Sequence, residues 1–232
     1  MFATLRHDLE VARTRDPAAR TLFEVAFTYP GVHAIWAYRI AHSLWQRDLK
    51  FLARLVSAIA RVFTGVEIHP AAHLGSGIFI DHALGVVIGE TTEIGNDVTI
   101  YQGVTLGGTS LSQGKRHPTI ADRVIIGAGA KLLGPITIGE DSRIGANAVV
   151  LKSVPAKSVV VGIPGRITTR NRPRSSSSSS VHDDVLVTDF VGGNIEALLQ
   201  RVDKLESVTT DHLRRGAPSP LQSPNGVDDF SI

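Results

Sequence analysis

Apolar residues recur every six positions between Ile68 and Val150, and this period is the dominant pattern of the chain. A second small or apolar residue follows four positions after most of these anchors, as at Ile78, Val98 and Val124. A hexapeptide period predicts a parallel β-helix, in which three short segments make one triangular coil. An all-β sandwich is disfavoured because its turns would be spaced by about 8–12 residues. The anchors are Ile68, Leu74, Ile80, Ile88, Ile94, Ile100, Leu106, Ile120, Ile126, Leu132, Ile138, Ile144 and Val150.

A glycine follows many of the anchors. We expect these glycines at tight corners, where a positive φ is cheap only for Gly. The anchors supply roughly four to five coils, and the flat sides of such a prism predict self-association. The glycines concerned are Gly75, Gly89, Gly95, Gly127, Gly139 and Gly145.

Helical patterns precede the repeat, and we expect these helices to cover the open end of the first coil. Asp16 stands before Pro17, which suits a residue that caps a helix or turn. Gly65 follows the last helical pattern as a C-cap residue would. The helical patterns cover residues 2–15, 33–46 and 50–63, and a short apolar stretch at 21–29 is closed by the breaker pair Pro30-Gly31.

Three kinds of segment follow the repeat. Residues 171–180 are rich in Ser and predict a flexible linker, and residues 194–207 show one more amphipathic helical pattern. Residues 216–232 have the composition of a disordered tail. We therefore divide the chain into a helical cap (1–65), a β-helix domain (66–168) and a linker, helix and tail (169–232).

The composition suits a folded protein and excludes some chemistry. The 232 residues are 43% hydrophobic and 20% charged, and the net charge of +2 is too small to predict a nucleic-acid partner. The absence of Cys excludes disulfides, thiolate nucleophiles and Cys-ligated zinc. Neither a signal peptide nor a membrane-spanning run is apparent, so we expect a cytoplasmic protein without membrane contact.

The six-residue phase breaks twice, and each break contains a histidine. Two extra residues enter after Ile80, at the segment that carries His82, and eight enter after Leu106, in a loop that ends at His117. Insertions in a solenoid lie on its surface and often build the binding face. A histidine is a natural general base at neutral pH when a carboxylate orients its ring. Glu67, fifteen residues before His82, can supply that carboxylate from an adjacent coil.

A zinc site is the main alternative for these histidines. His69 and His73 are four residues apart and could form a metal cluster with His82 or His117. The phases of His69 and His73 do not match clearly, which disfavours this interpretation. The remaining alternative is that each histidine is an ordinary surface residue.

The repeat and its flanks resemble the serine acetyltransferases at several independent motifs. The resemblance covers about residues 5–165, whereas a bare hexapeptide repeat would indicate only the acyltransferase superfamily. The motifs are VEIHPAAHLGSGIFIDHALGVVIGET, VTLGGTSLSQGKRHP, VIIGAGAKLLGPITIGEDSRIGANAVVLKSVP, RTRDPAA and GVHAIWAYRIAHSLWQ.

The resemblance implies a mainly β fold, a left-handed parallel β-helix with a short helical N-terminal cap and a C-terminal helix and tail. This hand is an exception to the usual right-handed crossover. The implied reaction transfers acetyl from acetyl-CoA to the hydroxyl of L-serine for cysteine biosynthesis, without a metal. Because the chain has no Cys, the transfer must be direct rather than through an acetyl-thioenzyme.

Position by position, the resemblance makes His82 the general base and Glu67 its supporting carboxylate. The family has Asp at the position of Glu67, so the carboxylate here lies one methylene further out. The implied serine contacts suit a zwitterion, with anions at one end and cations at the other. They are Asp16 and Asp81 for the amino and hydroxyl end, and Arg116 and His117 for the carboxylate.

The resemblance also implies partners. It places the coenzyme against backbone groups at Gly108, Ala128 and Ala146, and the active site between neighbouring chains of a trimer. In the family a C-terminal Ile, here Ile232, inserts into O-acetylserine sulfhydrylase, and L-cysteine is a feedback inhibitor. Family members commonly have a longer helical N-terminus that joins two trimers, so we expect a homotrimer here and keep a dimer of trimers as the alternative.

Two other functions stay open from the sequence. One is a hexapeptide acetyltransferase for a different hydroxyl acceptor, such as a sugar or an antibiotic, which would lack the amino-acid contacts. The other is a zinc enzyme of the γ-type carbonic anhydrase kind.

Overall fold

Hydrogen bonds between successive coils define the architecture, because each short strand pairs in parallel with the strand one coil further along. The computed structural model describes residues 2–168 and 199–206. Its pairings make three sheets, which form the faces of a triangular prism. The fold is mainly β and is a left-handed parallel β-helix, which confirms the prediction.

The three faces take their strands in rotation along the chain. The first face contains β1 (Glu67–Ile68), β4 (Val87–Ile88), β7 (Thr105–Gly107), β10 (Lys131–Leu133) and β13 (Val149–Val150). The second contains β2 (His73–Leu74), β5 (Glu93–Ile94), β8 (Thr119–Ile120) and β11 (Thr137–Ile138). The third contains β3 (Phe79–Ile80), β6 (Thr99–Ile100), β9 (Ile125–Ile126), β12 (Arg143–Ile144), β14 (Val159–Val161) and the antiparallel β15 (Arg166–Thr168).

Every predicted anchor lies in one of these strands, and anchors of successive coils face each other in register. On the first face, Ile68 pairs with Ile88 and Ile88 with Leu106. Ile126 and Leu132 are fully buried inside the prism. Full burial of one such side chain contributes roughly 1.5–3 kcal/mol, so the interior stack supplies the main favourable term for folding.

The glycines after the anchors are needed for a different reason from the one predicted. None of the six has a positive φ, and left-handed corner positions are instead taken by residues such as Asp97 and Arg123. A Cβ on Gly75 would lie 2.4 Å from the carbonyl oxygen of Gly95 on the next coil. The close approach of successive coils, rather than the backbone angle, therefore excludes a side chain.

The first phase break changes which side chains face inward. Leu84 stands four positions after an anchor, yet it is 72% exposed. Ala83 and Val86 are fully buried in its place. The two inserted residues therefore form a bulge that directs Leu84 outward before the chain returns to the prism.

Four helices precede the prism, and they include a helix over the short apolar stretch at 21–29. Pro30 and Gly31 begin a helix rather than separate two elements, because Pro suits the first helical turn. A Cβ on Gly31 would lie 2.0 Å from the carbonyl oxygen of Ile80, so Gly lets this helix contact the prism. Gly65 caps the last helix at φ 72, as predicted. The helices are α1 (Phe2–Arg15), α2 (Leu22–Thr28), α3 (Pro30–Gln46) and α4 (Lys50–Thr64).

The described part of the C-terminal region is short. Residues 199–206 are helical, within the helix predicted for 194–207. The predicted linker at 171–180 and the tail at 216–232, including Ile232, lie outside the described residues. Within the described part of the chain, no helix combines the length and apolar character needed to cross a membrane.

A buried carboxylate attaches the N-terminal helices to the prism. Asp8 of α1 is fully buried and accepts backbone hydrogen bonds from Gly77 at 2.7 Å and Ile78 at 3.3 Å. The guanidinium of Arg39 on α3 lies 3.3 Å from the same carboxylate. Burial raises the pKa of Asp8, while Arg39 and the two backbone donors favour its charged form. One side chain therefore joins α1, α3 and the turn before β3.

Replacement of Asp8 by Ala should lower the free energy of unfolding by about 3 kcal/mol, because Arg39 loses its only carboxylate among the described residues and two backbone N–H groups lose their acceptor in a buried site. Urea denaturation followed by circular dichroism measures this loss. Glu10 on the same helix forms an exposed pair with Arg6, so Glu10→Ala should change stability by less than about 0.5 kcal/mol. Equal effects of the two substitutions would show that Asp8 is not the anchor.

Candidate functional site

His82 lies on the bulge between β3 and β4, on a strained backbone. His82 and Ala83 are successive residues with left-handed φ values of 56 and 59. This conformation is uncommon for residues with a Cβ and often marks functional positions. The side chain of His82 is 73% exposed, with its Nε2 atom 3.9 Å from Oδ2 of Asp81. The bulge thus presents an accessible imidazole beside a carboxylate.

Glu67 begins β1, next to the same bulge. The N–H of Gly85 donates to the carbonyl of Gly65 at 2.9 Å, which packs the bulge against the turn before Glu67. The carboxylate of Glu67 forms an ion pair with Arg61 of α4 at 2.9 Å. Among the described residues, no hydrogen bond or ion pair joins Glu67 to His82, whose nearest ionic partner is Asp81.

Asp16 caps a turn, as one of its two predicted roles requires, and it also contacts Tyr29. One carboxylate oxygen accepts the backbone N–H of Ala18 at 2.8 Å, as a turn cap does. The other accepts the hydroxyl of Tyr29 at 2.5 Å. Burial, this hydrogen bond and nearby carboxylates, Asp81 among them, raise the pKa of Tyr29 to about 12. Tyr29 therefore lies close to both predicted serine-binding carboxylates.

Sequence reasoning missed Tyr29. A tyrosine between two helices carries no chemical signal in the sequence, because its partner Asp16 is thirteen residues away and belongs to another element. The proximity of Tyr29 to Asp16 depends on the packing of α2 against α1.

Arg116 and His117 lie at the end of the loop between β7 and β8, held by the turn that follows β4. The guanidinium of Arg116 donates to the carboxylate of Glu90, and this bond lowers the pKa of Glu90. His117 is 8% exposed, and burial together with the charge of Arg116 lowers its pKa. The two residues thus provide a guanidinium and an imidazole whose neutral form is favoured.

The predicted residues divide between two opposite edges of the first face. Each strand of the first face begins at one corner of the prism and ends at the next. The corners at which β4, β7, β10 and β13 begin line up along the face as what we call the leading edge, and the corners at which they end line up as the trailing edge. The leading edge carries Asp81, His82, Ala128 and Ala146, and the trailing edge carries the loop with Gly108, Arg116 and His117.

The coenzyme residues divide in the same way. Ala128 and Ala146 are on successive coils, and the carbonyl of Ala128 accepts the N–H of Asn147 at 2.8 Å. Gly108 follows β7 and lies across the face from them. The structure therefore brings the two alanines together and separates them from Gly108.

The two edges carry opposite charge and are too far apart for one serine to span. In the described residues, no hydrogen bond or ion pair connects Asp16, Asp81 or His82 with Arg116 or His117. The four residue steps from Gly85 to Gly89 cover roughly 13 Å in extended conformation. A serine molecule spans only about 5 Å. Within one chain, the predicted serine contacts are therefore divided into two half-sites, one on each edge.

The histidines proposed for a zinc cluster pack against different aromatic side chains. His69 lies edge-on to Trp45 at 5.3 Å, and burial lowers its pKa to about 4. His73 lies against His42 at 5.4 Å, beside a groove of 530 Å³ on the second face that contains none of the predicted site residues. Within residues 2–168 and 199–206, no three His, Asp or Glu side chains are grouped so that they could hold a metal ion.

Comparison with known proteins assigns the family. Residues 117–152 match the family model for the bacterial transferase hexapeptide (six repeats). The serine acetyltransferase of Mycobacterium tuberculosis is 53% identical over 235 residues, which cover 100% of both chains.

Solved structures agree with this assignment. The structure of Neisseria gonorrhoeae serine acetyltransferase in complex with serine superposes with a TM-score of 0.70 at 43% identity, covering 72% of this chain and 69% of that chain. The Brucella abortus serine acetyltransferase in complex with coenzyme A gives a TM-score of 0.70 at 46% identity, with 72% and 66% covered. The chain belongs to the serine acetyltransferase family.

Proposed function

We propose that this chain catalyses the family reaction at a site formed by the leading edge of one chain and the trailing edge of its neighbour. The reaction transfers acetyl from acetyl-CoA to the hydroxyl of L-serine and yields O-acetyl-L-serine and CoA. The observation that supports the proposal is that the predicted serine contacts lie in two groups, one anionic and one cationic, on opposite edges of one face.

Assembly completes the site. Proteins of the hexapeptide family are usually trimeric, and three prisms around an axis bring an edge of one chain next to an edge of another. Asp16 and Asp81 would then bind the ammonium and hydroxyl end of serine. Arg116 and His117 of the neighbouring chain would bind its carboxylate, for which the guanidinium supplies a planar fork.

His82 is the proposed general base. It takes the proton from the serine hydroxyl as the oxygen attacks the thioester carbonyl, and it returns that proton to the CoA sulfur when the carbon–sulfur bond breaks. A backbone N–H of the loop at Gly108 would stabilise the oxyanion between these steps. The exposed position of His82 on the bulge gives its imidazole access to both substrates.

The carboxylate that orients His82 is proposed to be Glu67. In the free chain Glu67 is paired with Arg61, and Asp81 is nearer to His82, so Glu67 would have to exchange partners during the reaction. The pH profile of kcat for Glu67→Gln tests whether Glu67 or Asp81 orients His82. A profile equal to that of the unmodified enzyme would assign the role to Asp81.

The division of Gly108 from Ala128 and Ala146 supports a coenzyme groove between chains. Small residues at these points let the pantetheine arm approach the backbone, and the groove would run beside the two half-sites for serine. Acetyl-CoA, the co-substrate of this enzyme family, would thus bind to the same pair of chains as serine.

His82→Ala should lower kcat by about 10²- to 10⁴-fold, the usual loss when a general base is removed. Release of CoA from acetyl-CoA with L-serine measures the rate, and His73→Ala, at another exposed histidine, is the matched control. Threonine, homoserine and a sugar should be poor acceptors. Turnover that survives in His82→Ala, or equal rates with a sugar, would contradict the proposal.

Regulation and partners are proposed from the resemblance. We propose that the tail ending in Ile232 inserts into O-acetylserine sulfhydrylase, as an apolar C-terminal anchor on an extended peptide can. L-Cysteine is proposed to compete with serine, and its addition to the rate assay tests this.

The composition predicts a cytoplasmic location, which cell fractionation tests.

Deletion of Ile232 should weaken binding to the sulfhydrylase at least tenfold without changing the acetylation rate, because the anchor lies at the end of the tail. Calorimetric titration measures the affinity, and Ser231→Ala is the control at the neighbouring position. Undiminished affinity after the deletion would rule out this mode of binding.

A further inference from the structure

The hydroxyl of Thr91 is at the centre of the cationic half-site. Thr91 lies in the turn after β4, one residue beyond Glu90. Its Oγ1 atom accepts the backbone N–H of Arg116 at 3.0 Å and that of His117 at 3.1 Å. The same Oγ1 lies 2.8 Å from Nδ1 of His117. One side chain on the previous coil therefore holds both cationic residues.

The hydrogen-bond capacity of a hydroxyl fixes the direction of the third bond. A threonine hydroxyl has two acceptor lone pairs and one proton to donate. The N–H groups of Arg116 and His117 use both lone pairs, so the proton of Thr91 must be donated to Nδ1 of His117. The backbone N–H of Thr91 also points at this Nδ1, at 3.2 Å.

Nδ1 of His117 therefore faces two donors and cannot carry a proton of its own. A neutral imidazole with an acceptor at Nδ1 has its proton on Nε2. Nε2 of His117 has no hydrogen-bond partner among the described residues, and it lies 3.2 Å from the point where a Cβ on Gly108 would be. A Cβ on Gly89 would overlap the imidazole ring at 2.0 Å, so Gly89 provides the space for it.

We propose that Thr91 is a positioning residue that holds His117 as the neutral tautomer with its proton on Nε2, aimed at the carboxylate of serine. The tautomer follows from the hydrogen bonds of this chain alone, while its purpose rests on the proposed function. Arg116 supplies the positive charge for the carboxylate, and His117 supplies one directed donor.

The surrounding charges favour the same state. Arg116 and Lys115 lie near His117 and disfavour a second positive charge, while Glu90 favours one but is already paired with Arg116. His69 is also close, and burial keeps it neutral. A protonated His117 would in addition place its Nδ1 proton against the two donors of Thr91. The site is therefore built for a neutral donor.

Thr91→Val removes the hydroxyl at nearly constant volume, and it should raise KM for serine about tenfold, the effect of one or two lost hydrogen bonds. KM for acetyl-CoA should change less than twofold. Thr91→Ser keeps the hydroxyl and should restore the serine KM. Thr92→Val is the matched control, because the hydroxyl of Thr92 is buried and has no partner in the described residues, so its kinetics should be unchanged.

Nitrogen NMR of the free enzyme with labelled histidine tests the tautomer independently of turnover. The His117 signal, identified by its loss in His117→Gln, should show an unprotonated Nδ1 and a protonated Nε2 in the unmodified enzyme and in Thr91→Ser. In Thr91→Val the Nδ1 signal should shift, which reports on the site even if the variant is less stable.

Three outcomes would overturn the inference, and they are distinguishable. A proton on Nδ1 of His117 in the unmodified enzyme contradicts the tautomer. An unchanged serine KM in Thr91→Val contradicts the role of Thr91. An unchanged serine KM in His117→Gln, with the expected tautomer present, removes His117 from the proposed function and with it the purpose of Thr91.

Discussion

The in-register stacking of anchors inside the prism is the constraint on which the rest of the molecule depends. Each coil must return an aliphatic side chain to the same three interior positions, as Ile88 does between Ile68 and Leu106. Closely packed interiors tolerate little change of volume, so variation is confined to the corners. The two insertions are therefore the places where the chain could acquire chemistry without losing its core, and the proposed catalytic and carboxylate-binding residues lie there.

Rigid coils also explain how a small number of polar residues becomes a site. The corners of neighbouring coils are held at a fixed spacing by backbone hydrogen bonds, so a side chain on one coil can orient a residue on the next. Thr91 acts in this way on His117, and Glu90 on Arg116. Near Asp81 of the leading edge, Tyr29 from the helical cap contacts Asp16. The helices are thus more than a cover for the first coil, because they supply part of the proposed serine site.

The sequence was most informative about features that repeat with every coil of the β-helix. The anchors, the parallel solenoid and the Gly65 cap followed from spacing, because interior positions repeat with every coil. The reason for the corner glycines was predicted wrongly, since the clash at Gly75 involves a backbone oxygen on another coil. Tyr29 and Thr91 could not be predicted either, because their partners are distant in sequence. The pairing of Glu67 with Arg61 depends on how the turn at Gly65 folds β1 back beside α4, which the sequence pattern did not predict.

The central claim is that each active site combines the leading edge of one chain with the trailing edge of another. Co-expression of His82→Ala and Arg116→Ala chains, each inactive alone, tests it directly through the activity of the mixed trimers. If the edges meet between chains, about a quarter of the sites in randomly mixed trimers regain both residues. A mixture of Arg116→Ala with His117→Ala, on the same edge, should stay inactive. Activity of the first mixture no higher than that of its parents would contradict the account.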